Sequence, residues 1–127
     1  MNQRDAKTGK EHKEFFNIDM SSGWETIAPG IEAKVLAGSM DGTIRKGHLN
    51  RIVRWAPHAE IAEIREHDFY EEVFVANGVL LVASQDEPTR FDAFIAPAFA
   101  CRPPHAKHGP FKAGPEGCLL FETQFYC

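Results

Sequence analysis

"IREHDFYEEVFVANG" (residues 64–78) places a histidine, His67, and two adjacent glutamates, Glu71 and Glu72, directly before the apolar run 73–75. A charged group that enters a protein core must be paired with an opposite charge, protonated or bound to a metal ion, because burial of an isolated charge is very costly. The segment therefore predicts a buried polar site on a strand, and its chemistry depends on which of these three applies.

Length and charge limit what kind of protein this is. A chain of 127 residues suits one domain, and 43% hydrophobic with 25% charged residues is typical of a globular protein. The net charge is -4, and the lysines and arginines are scattered rather than clustered. We therefore expect no nucleic-acid partner.

The ends of the chain and its cysteines bear on its location. Residues 1–14 are polar and have no apolar core, so we expect a flexible tail there, with neither a signal peptide nor a membrane anchor. The three cysteines are an odd number, and none has a CxxC or CxxH partner. Reduced thiols in the cytoplasm are therefore favoured over a disulfide framework, and no membrane association is expected.

Short apolar runs that alternate with turn signals predict an all-β fold. Strand patterns occur at residues 31–36, 48–55, 90–96 and 117–127. Asp41-Gly42 indicates a tight turn, and Asn77-Gly78 predicts a hairpin between the two apolar runs that flank it. These features favour a sandwich or a closed barrel.

Residues 57–67, "PHAEIAEIREH", fit either a short helix or a strand. Pro57 suits the first position of a helix, whereas alternation would put Ile61, Glu63, Arg65 and His67 on one face. We favour the strand. Its polar face is reasonable only if it lines a cavity.

Two motifs then indicate a family. His67, three residues, Glu71, six residues and Gly78 resemble the first motif of the cupin superfamily, and about 25 residues later "PPHAKH" (103–108) is similar to the second. The flanks 24–36 and 100–122 resemble small single-domain cupins related to the C-terminal domain of anti-sigma factors and to acetylacetone-cleaving dioxygenases. The resemblance implies a cupin domain over residues 15–127, built as a double-stranded β-helix (jelly-roll) barrel.

The resemblance also implies a ligand set for a divalent transition metal: iron, manganese, nickel or zinc. His67 and Glu71 come from the first motif and His108 from the second. Counting four residues on from His67 would instead select Glu72. We favour Glu71, because Gly78 fixes the register of the strand.

Departures from the family pattern leave alternatives open. Arg65 stands where a histidine is usual, and arginine cannot bind a metal because its guanidinium stays protonated. His58 and His105 stand where glycine is typical. The site is then a three-ligand site, a rebuilt site that recruits His105 or Glu63, or a barrel without metal. In the last case Arg65 would bind a carboxylate ligand or pair with Glu71, and we predict that Arg65 binds substrate.

Two functions follow from the resemblance. The first is a metal-dependent dioxygenase that acts on a small carbonyl-containing or organic-acid substrate. The second is a non-catalytic cupin module of the anti-sigma type that senses a small molecule or a metal. The apolar segment "FFNIDM" (15–20) further predicts a homodimer, because it is suited to add to the sheet of a partner.

Overall fold

The regular structure of the chain consists of β-strands. The structure, a computed structural model, describes residues 4–87 and 89–127. These residues contain eight strands and no helix, which confirms the predicted all-β class. Nothing in the described part of the chain is a helix long and apolar enough to cross a membrane. The strands are β1 (Glu25–Ala28), β2 (Ile31–Asp41), β3 (Lys46–Trp55), β4 (Glu60–Ile61), β5 (Tyr70–Ala83), β6 (Phe91–Ile95), β7 (Ala98–Arg102) and β8 (Phe111–Phe125).

Two long strands organise the sheet, whose order is β1-β2-β3-β8-β5-β6. β5 and β8 pair with each other, and each has two partners along its other edge. β5 pairs with β7 through its first half and with β6 through its second. β8 pairs with β4 at its start and with β3 further on. Each long strand thus pairs with two shorter strands along its outer edge as well as with the other long strand, and the sheet curves around an interior.

Alternation along β5 and β8 decides which side chains face that interior. Glu71, Val73 and Val75 of β5 are buried. On β8, Leu120, Glu122 and Gln124 are buried in the same way. Because side chains of a strand point to opposite faces in turn, each strand carries carboxylate or amide groups inward together with its aliphatic residues. The interior therefore has a polar end.

The two predicted turns have opposite outcomes. The Asp41-Gly42 turn is confirmed, because residues 42–45 connect β2 to β3 as a hairpin. The Asn77-Gly78 hairpin is wrong, because β5 runs without interruption from Tyr70 to Ala83. Its pairing with β8 shifts register on both sides of these residues, so they form an irregularity inside one strand.

Close backbone contact explains this irregularity. Gly78 has a positive φ of 81°, and a Cβ placed on it would lie 2.2 Å from the carbonyl oxygen of Gly117. An Asn-Gly turn also requires a positive φ. Asn77-Gly78 therefore indicated the backbone conformation correctly, but that conformation occurs inside a strand and not in a turn.

Residues 57–67 are neither a helix nor a full strand. Only Glu60–Ile61 pair with β8, and a single further bridge joins Arg65 to His108. The predicted strand is thus realised in part. Ile61, Arg65 and His67 do line one cavity, whereas Glu63 does not contribute to its lining.

The segment before β1 starts with a turn closed by an Arg4–Glu11 bridge and contacts the sheet through lysine side chains. Lys10 donates a hydrogen bond to the side chain of Asn50, and Lys13 donates to the carbonyl of Leu36 at 2.8 Å. Phe15 is fully exposed. The flexible tail over residues 1–14 stays a prediction, and its first three residues lie outside the described part of the chain.

We expect Gly78→Ala to destabilise the protein by at least about 2 kcal/mol, because it combines a left-handed backbone with a backbone clash. Gly42→Ala is the matched control, since its Cβ would meet nothing nearer than the Tyr126 hydroxyl at 3.6 Å. Denaturant unfolding of both variants measures the difference. A Gly78→Ala protein within about 0.5 kcal/mol of wild type would contradict the proposed role of this contact.

Candidate metal centre

A cavity of about 110 Å³ opens at the polar end of the interior. Its apolar wall comes from β1, β3, β4, β5 and β8, and its polar lining includes residues from several separate segments. The polar lining residues are Arg51, Arg65, His67, Glu71, Arg102, His108, Glu122 and Gln124.

Backbone hydrogen bonds hold the two histidine-bearing segments together. The amide of Arg65 donates to the carbonyl of His108 at 2.7 Å, and the amide of His108 donates back to Arg65 at 3.0 Å. The amide of His105 donates to the carbonyl of His67 at 2.7 Å. As a result, the His67 and His108 rings lie 4.9 Å apart between centroids.

Glu71 is buried, and its carboxylate is held by cross-strand neighbours from both sides. Gln124 of β8 lies opposite it and donates through Nε2 to Oε2 at 2.8 Å. Arg102 of β7 lies opposite it on the other edge, with Nη1 3.4 Å from Oε1. The Gln124 bond is the tighter of the two, so it fixes the orientation of the carboxylate, while Arg102 supplies positive charge.

His108 presents a neutral nitrogen to this carboxylate. Burial lowers the pKa of His108, and the nearby Arg102 charge lowers it further. Its Nδ1–H donates to the carbonyl of Ala106 at 3.2 Å, which leaves the Nε2 lone pair free. Nε2 lies 3.9 Å from Oε1 of Glu71. Two potential metal ligands thus face each other across this distance, an arrangement that a cation stabilises.

The donor set fits a divalent transition metal. One donor atom from each of His67, Glu71 and His108 lies within 4.8 Å of the others. Two imidazoles and one carboxylate suit iron, manganese, nickel and zinc. His67 is half-buried and its ring stacks on Phe69 with 4.6 Å between centroids and 7° between planes. The structure therefore brings together the three residues that the sequence predicted as ligands.

The alternative ligands lie elsewhere. Glu72 does not line the cavity, and its Oε2 is 4.0 Å from the sulfur of Cys101. His105 is exposed, with Nδ1 3.3 Å from Glu66. Glu63 is exposed as well. None of Glu72, His105 and Glu63 shares the cavity with the three candidate ligands.

Arg65 lies at the mouth of the cavity. Its side chain is 46% exposed, and the nearest carboxylate is that of Glu63 at 3.7 Å. It does not form the suggested pair with Glu71, and Arg102 occupies that place instead. The two arginines thus differ in position: one borders solvent and one lies inside.

Several polar residues of the cavity were missed by sequence reasoning. Arg51 Nε donates to Oε1 of Glu122 at 2.8 Å. Burial raises the pKa of Glu122, and the negative charge of Glu71 raises it further. The signal was available in "LFETQF" (120–125), where alternation places Glu122 and Gln124 on the buried face of Leu120.

Comparison with solved structures identifies the fold. An RmlC-like cupin from Shewanella frigidimarina matches with a TM-score of 0.66 at 18% identity, over 91% of this chain and 93% of its own. An acetylacetone dioxygenase from Acinetobacter johnsonii matches with a TM-score of 0.65 at 17% identity, over 91% and 74%. The anti-sigma factor ChrR of Rhodobacter sphaeroides, solved with SigE, matches with a TM-score of 0.57 at 14% identity, over 81% and 48%.

At such identities these matches show the fold, which is the predicted cupin jelly roll. A search of curated protein sequences finds no match. The family model described as the ChrR cupin-like domain matches residues 12–126. This match covers nearly the whole chain, and the protein belongs to the ChrR cupin-like family.

Proposed function

We propose that the protein is a metal-dependent cupin enzyme of the dioxygenase type. It binds a divalent transition metal through His67, Glu71 and His108 and acts on a small carbonyl-containing or organic-acid substrate. The observation that carries the proposal is the convergence of one donor atom each from His67, Glu71 and His108 within 4.8 Å of one another in a cavity where Glu71 and His108 are buried. Similarity to the acetylacetone dioxygenase supports the reaction class.

A metal bound there would supply Lewis-acid and redox chemistry at a substrate oxygen. The protein's own residues provide the setting for it. Gln124 orients the Glu71 carboxylate, and the Ala106 carbonyl sets the tautomer of His108. The apolar wall, which includes Val53, excludes bulk water from the reacting groups.

Arg65 is proposed to act at the entrance rather than at the metal. Its half-exposed guanidinium borders the cavity, and its ion pair among the described residues is a distant one with Glu63 at 3.7 Å. A positive charge at the mouth attracts an anionic substrate and contributes to its binding. We therefore expect Arg65 to affect substrate affinity and not metal content.

The second candidate is a sensing module without catalysis. The family match is to a ChrR cupin-like domain, and the solved ChrR is an anti-sigma factor in complex with SigE. In this case the same cavity would bind a metal or a small molecule, and the consequence would be a change in a partner. Metal binding is common to both candidates, whereas turnover separates them.

The first test is metal content after dialysis. We expect wild type to retain about one zinc or iron ion per chain, and His108→Ala and Glu71→Gln to bind it at least about 100-fold more weakly, because each loses a ligand. Glu72→Gln is the matched control and should retain the metal, as should Arg65→Ala. If wild type retains as little metal as His108→Ala, the metal proposal fails.

The second test is oxygen consumption by iron(II)-loaded protein with a panel of small β-diketones and phenolic ketones. We expect uptake that matches substrate loss and that disappears in His108→Ala. Arg65→Ala should raise KM more than it lowers kcat, since it acts on binding. Loaded protein that consumes no oxygen with any member of the panel would favour the sensing module.

The proposed assembly is a homodimer, and two apolar features support it. Phe15 is fully exposed on the segment before β1. On the outer face of the sheet, Phe99, Phe74 and Phe121 lie side by side across β7, β5 and β8, and all three are exposed. A row of aromatic rings of this kind is typical of an interaction surface.

We expect light scattering at micromolar concentration to give the mass of two chains. Phe15→Asp and Phe74→Asp should shift the protein toward the mass of one chain, because a buried charge is costly at an interface. Ile44→Asp, at an exposed position in the β2–β3 turn, is the control and should leave the dimer intact. A wild-type protein with the mass of one chain contradicts the proposal.

A reducing compartment such as the cytoplasm is proposed as the location. Cys101, Cys118 and Cys127 are all free thiols. Burial raises the pKa of Cys118 to about 12, so this thiol is protonated and unreactive at neutral pH. Free cysteines without a disulfide are typical of reducing conditions.

A further inference from the structure

A second cavity of about 140 Å³ adjoins the first. Residues of β5, β6 and β7 line it, and we call it the apolar chamber. Arg102 is its one charged lining residue in the described part of the chain, and Val73, Leu80 and Arg102 line both cavities. The remaining lining residues of the apolar chamber are Val75, Val82, Phe94, Ala98, Phe99 and Ala100.

Arg102 is placed where the two cavities meet, and its hydrogen-bonding capacity is largely unused. Its side chain is only 18% exposed. Among the described residues its hydrogen bonding is limited to one long contact with Glu71 at 3.4 Å, and its guanidinium lies 5.4 Å from the ring centre of Phe111. A guanidinium offers five N–H donors in a fork that matches a carboxylate. Most of these donors are therefore available to a ligand.

The charge of the first cavity favours an anion. Arg51, Arg65 and Arg102 line it, and the opposing carboxylates are those of Glu71 and Glu122. The arginines thus outnumber the carboxylates by one. Any bound metal cation adds to this excess. A negatively charged group is consequently the ligand that this cavity stabilises.

The size of the apolar chamber indicates what is attached to that anion. An engineered apolar cavity of about 150 Å³ in another protein holds a benzene molecule, so a chamber of this volume admits a six-carbon ring or a short branched chain. Phe94 lines the chamber, is exposed and does not belong to the aromatic row proposed as the dimer surface, so it gives a ligand a route in from solvent.

We propose that the ligand is a small amphipathic organic anion whose carboxylate or enolate oxygens bind the Arg102 fork and whose apolar part occupies the apolar chamber. This inference rests on the proposed function, because it names the substrate class of the same site. Arg102 is the specificity-determining residue for the charge, and Ala98 and Ala100, which face inward opposite Val75 and Val73, set the room for the apolar part.

The experiment uses benzoate as the probe, with acetate and benzyl alcohol as the matched comparisons that lack the ring or the charge. Calorimetric titration of metal-free and zinc-loaded wild type should show benzoate binding at least about 10-fold more tightly than either comparison. Arg102→Gln should abolish this preference over benzyl alcohol, and Arg102→Lys should restore part of it.

Ala100→Leu fills the apolar chamber and should weaken benzoate at least about 10-fold while acetate binding stays unchanged. Ala93→Leu is the control, because Ala93 lies opposite Leu81 and outside both cavities, and it should bind benzoate as wild type does. Ala98→Val, which adds less volume, gives a second measure of filling if Ala100→Leu does not fold.

The outcomes separate this inference from the metal proposal. Benzoate that binds no more tightly than acetate, or that binds Ala100→Leu as it binds wild type, overturns the inference even if the protein retains zinc. Benzoate discrimination by a protein that retains no metal supports the inference and overturns the metal proposal instead.

Discussion

The buried carboxylate of Glu71 is the constraint on which the rest of the site depends. A carboxylate that is 6% exposed must be matched by donors and positive charge, and β5 obtains both through its pairing on two edges, from Gln124 and Arg102. A slip of one residue would turn Glu71 outward and bring Phe74 and Glu72 to the interior. The register of β5 is therefore part of the site, and the close approach of Gly78 to Gly117 lies where the pairing of β5 with β8 shifts register.

Local pattern predicted most of the strands, but it missed β1, β7 and the first part of β8, and it did not predict every connection between strands. Apolar alternation located β2, β3 and β8, and Asp41-Gly42 located the turn between the first two. Asn77-Gly78 failed because a tight turn and an in-strand irregularity require the same positive φ. The deciding factor is that the runs on both sides of it pair with β8, a segment far along the chain whose position no local pattern reveals.

In the site, too, local pattern predicted some residues and long-range pairing determined others. Motif spacing grouped His67, Glu71 and His108, and the fold brings them together. It predicted a substrate-binding role for Arg65, which occupies a motif position, whereas the place of Arg102 beside Glu71 is determined by cross-strand pairing. His58 and His105 show how the fold tolerates the departures from the family pattern. Both stand where glycine is typical and both adopt positive φ, 62° and 70°, a region in which histidine is less disfavoured than most residues.

The two ion pairs of the cavity differ in a way that connects metal and ligand. Arg51 binds Glu122 at 2.8 Å, a close contact that leaves little of either charge unmatched. Arg102 and Glu71 are 3.4 Å apart, and each has a second potential partner. For Glu71 this partner is a cation that it would share with His108, and for Arg102 it is an anionic ligand. If both proposals hold, a cation beside Glu71 replaces Arg102 as its counter-charge and leaves the guanidinium free for the ligand. By linkage, the ligand then strengthens metal binding by the same factor by which the metal strengthens ligand binding. The physical cause is that a ligand that draws Arg102 away leaves Glu71 a better donor to the metal.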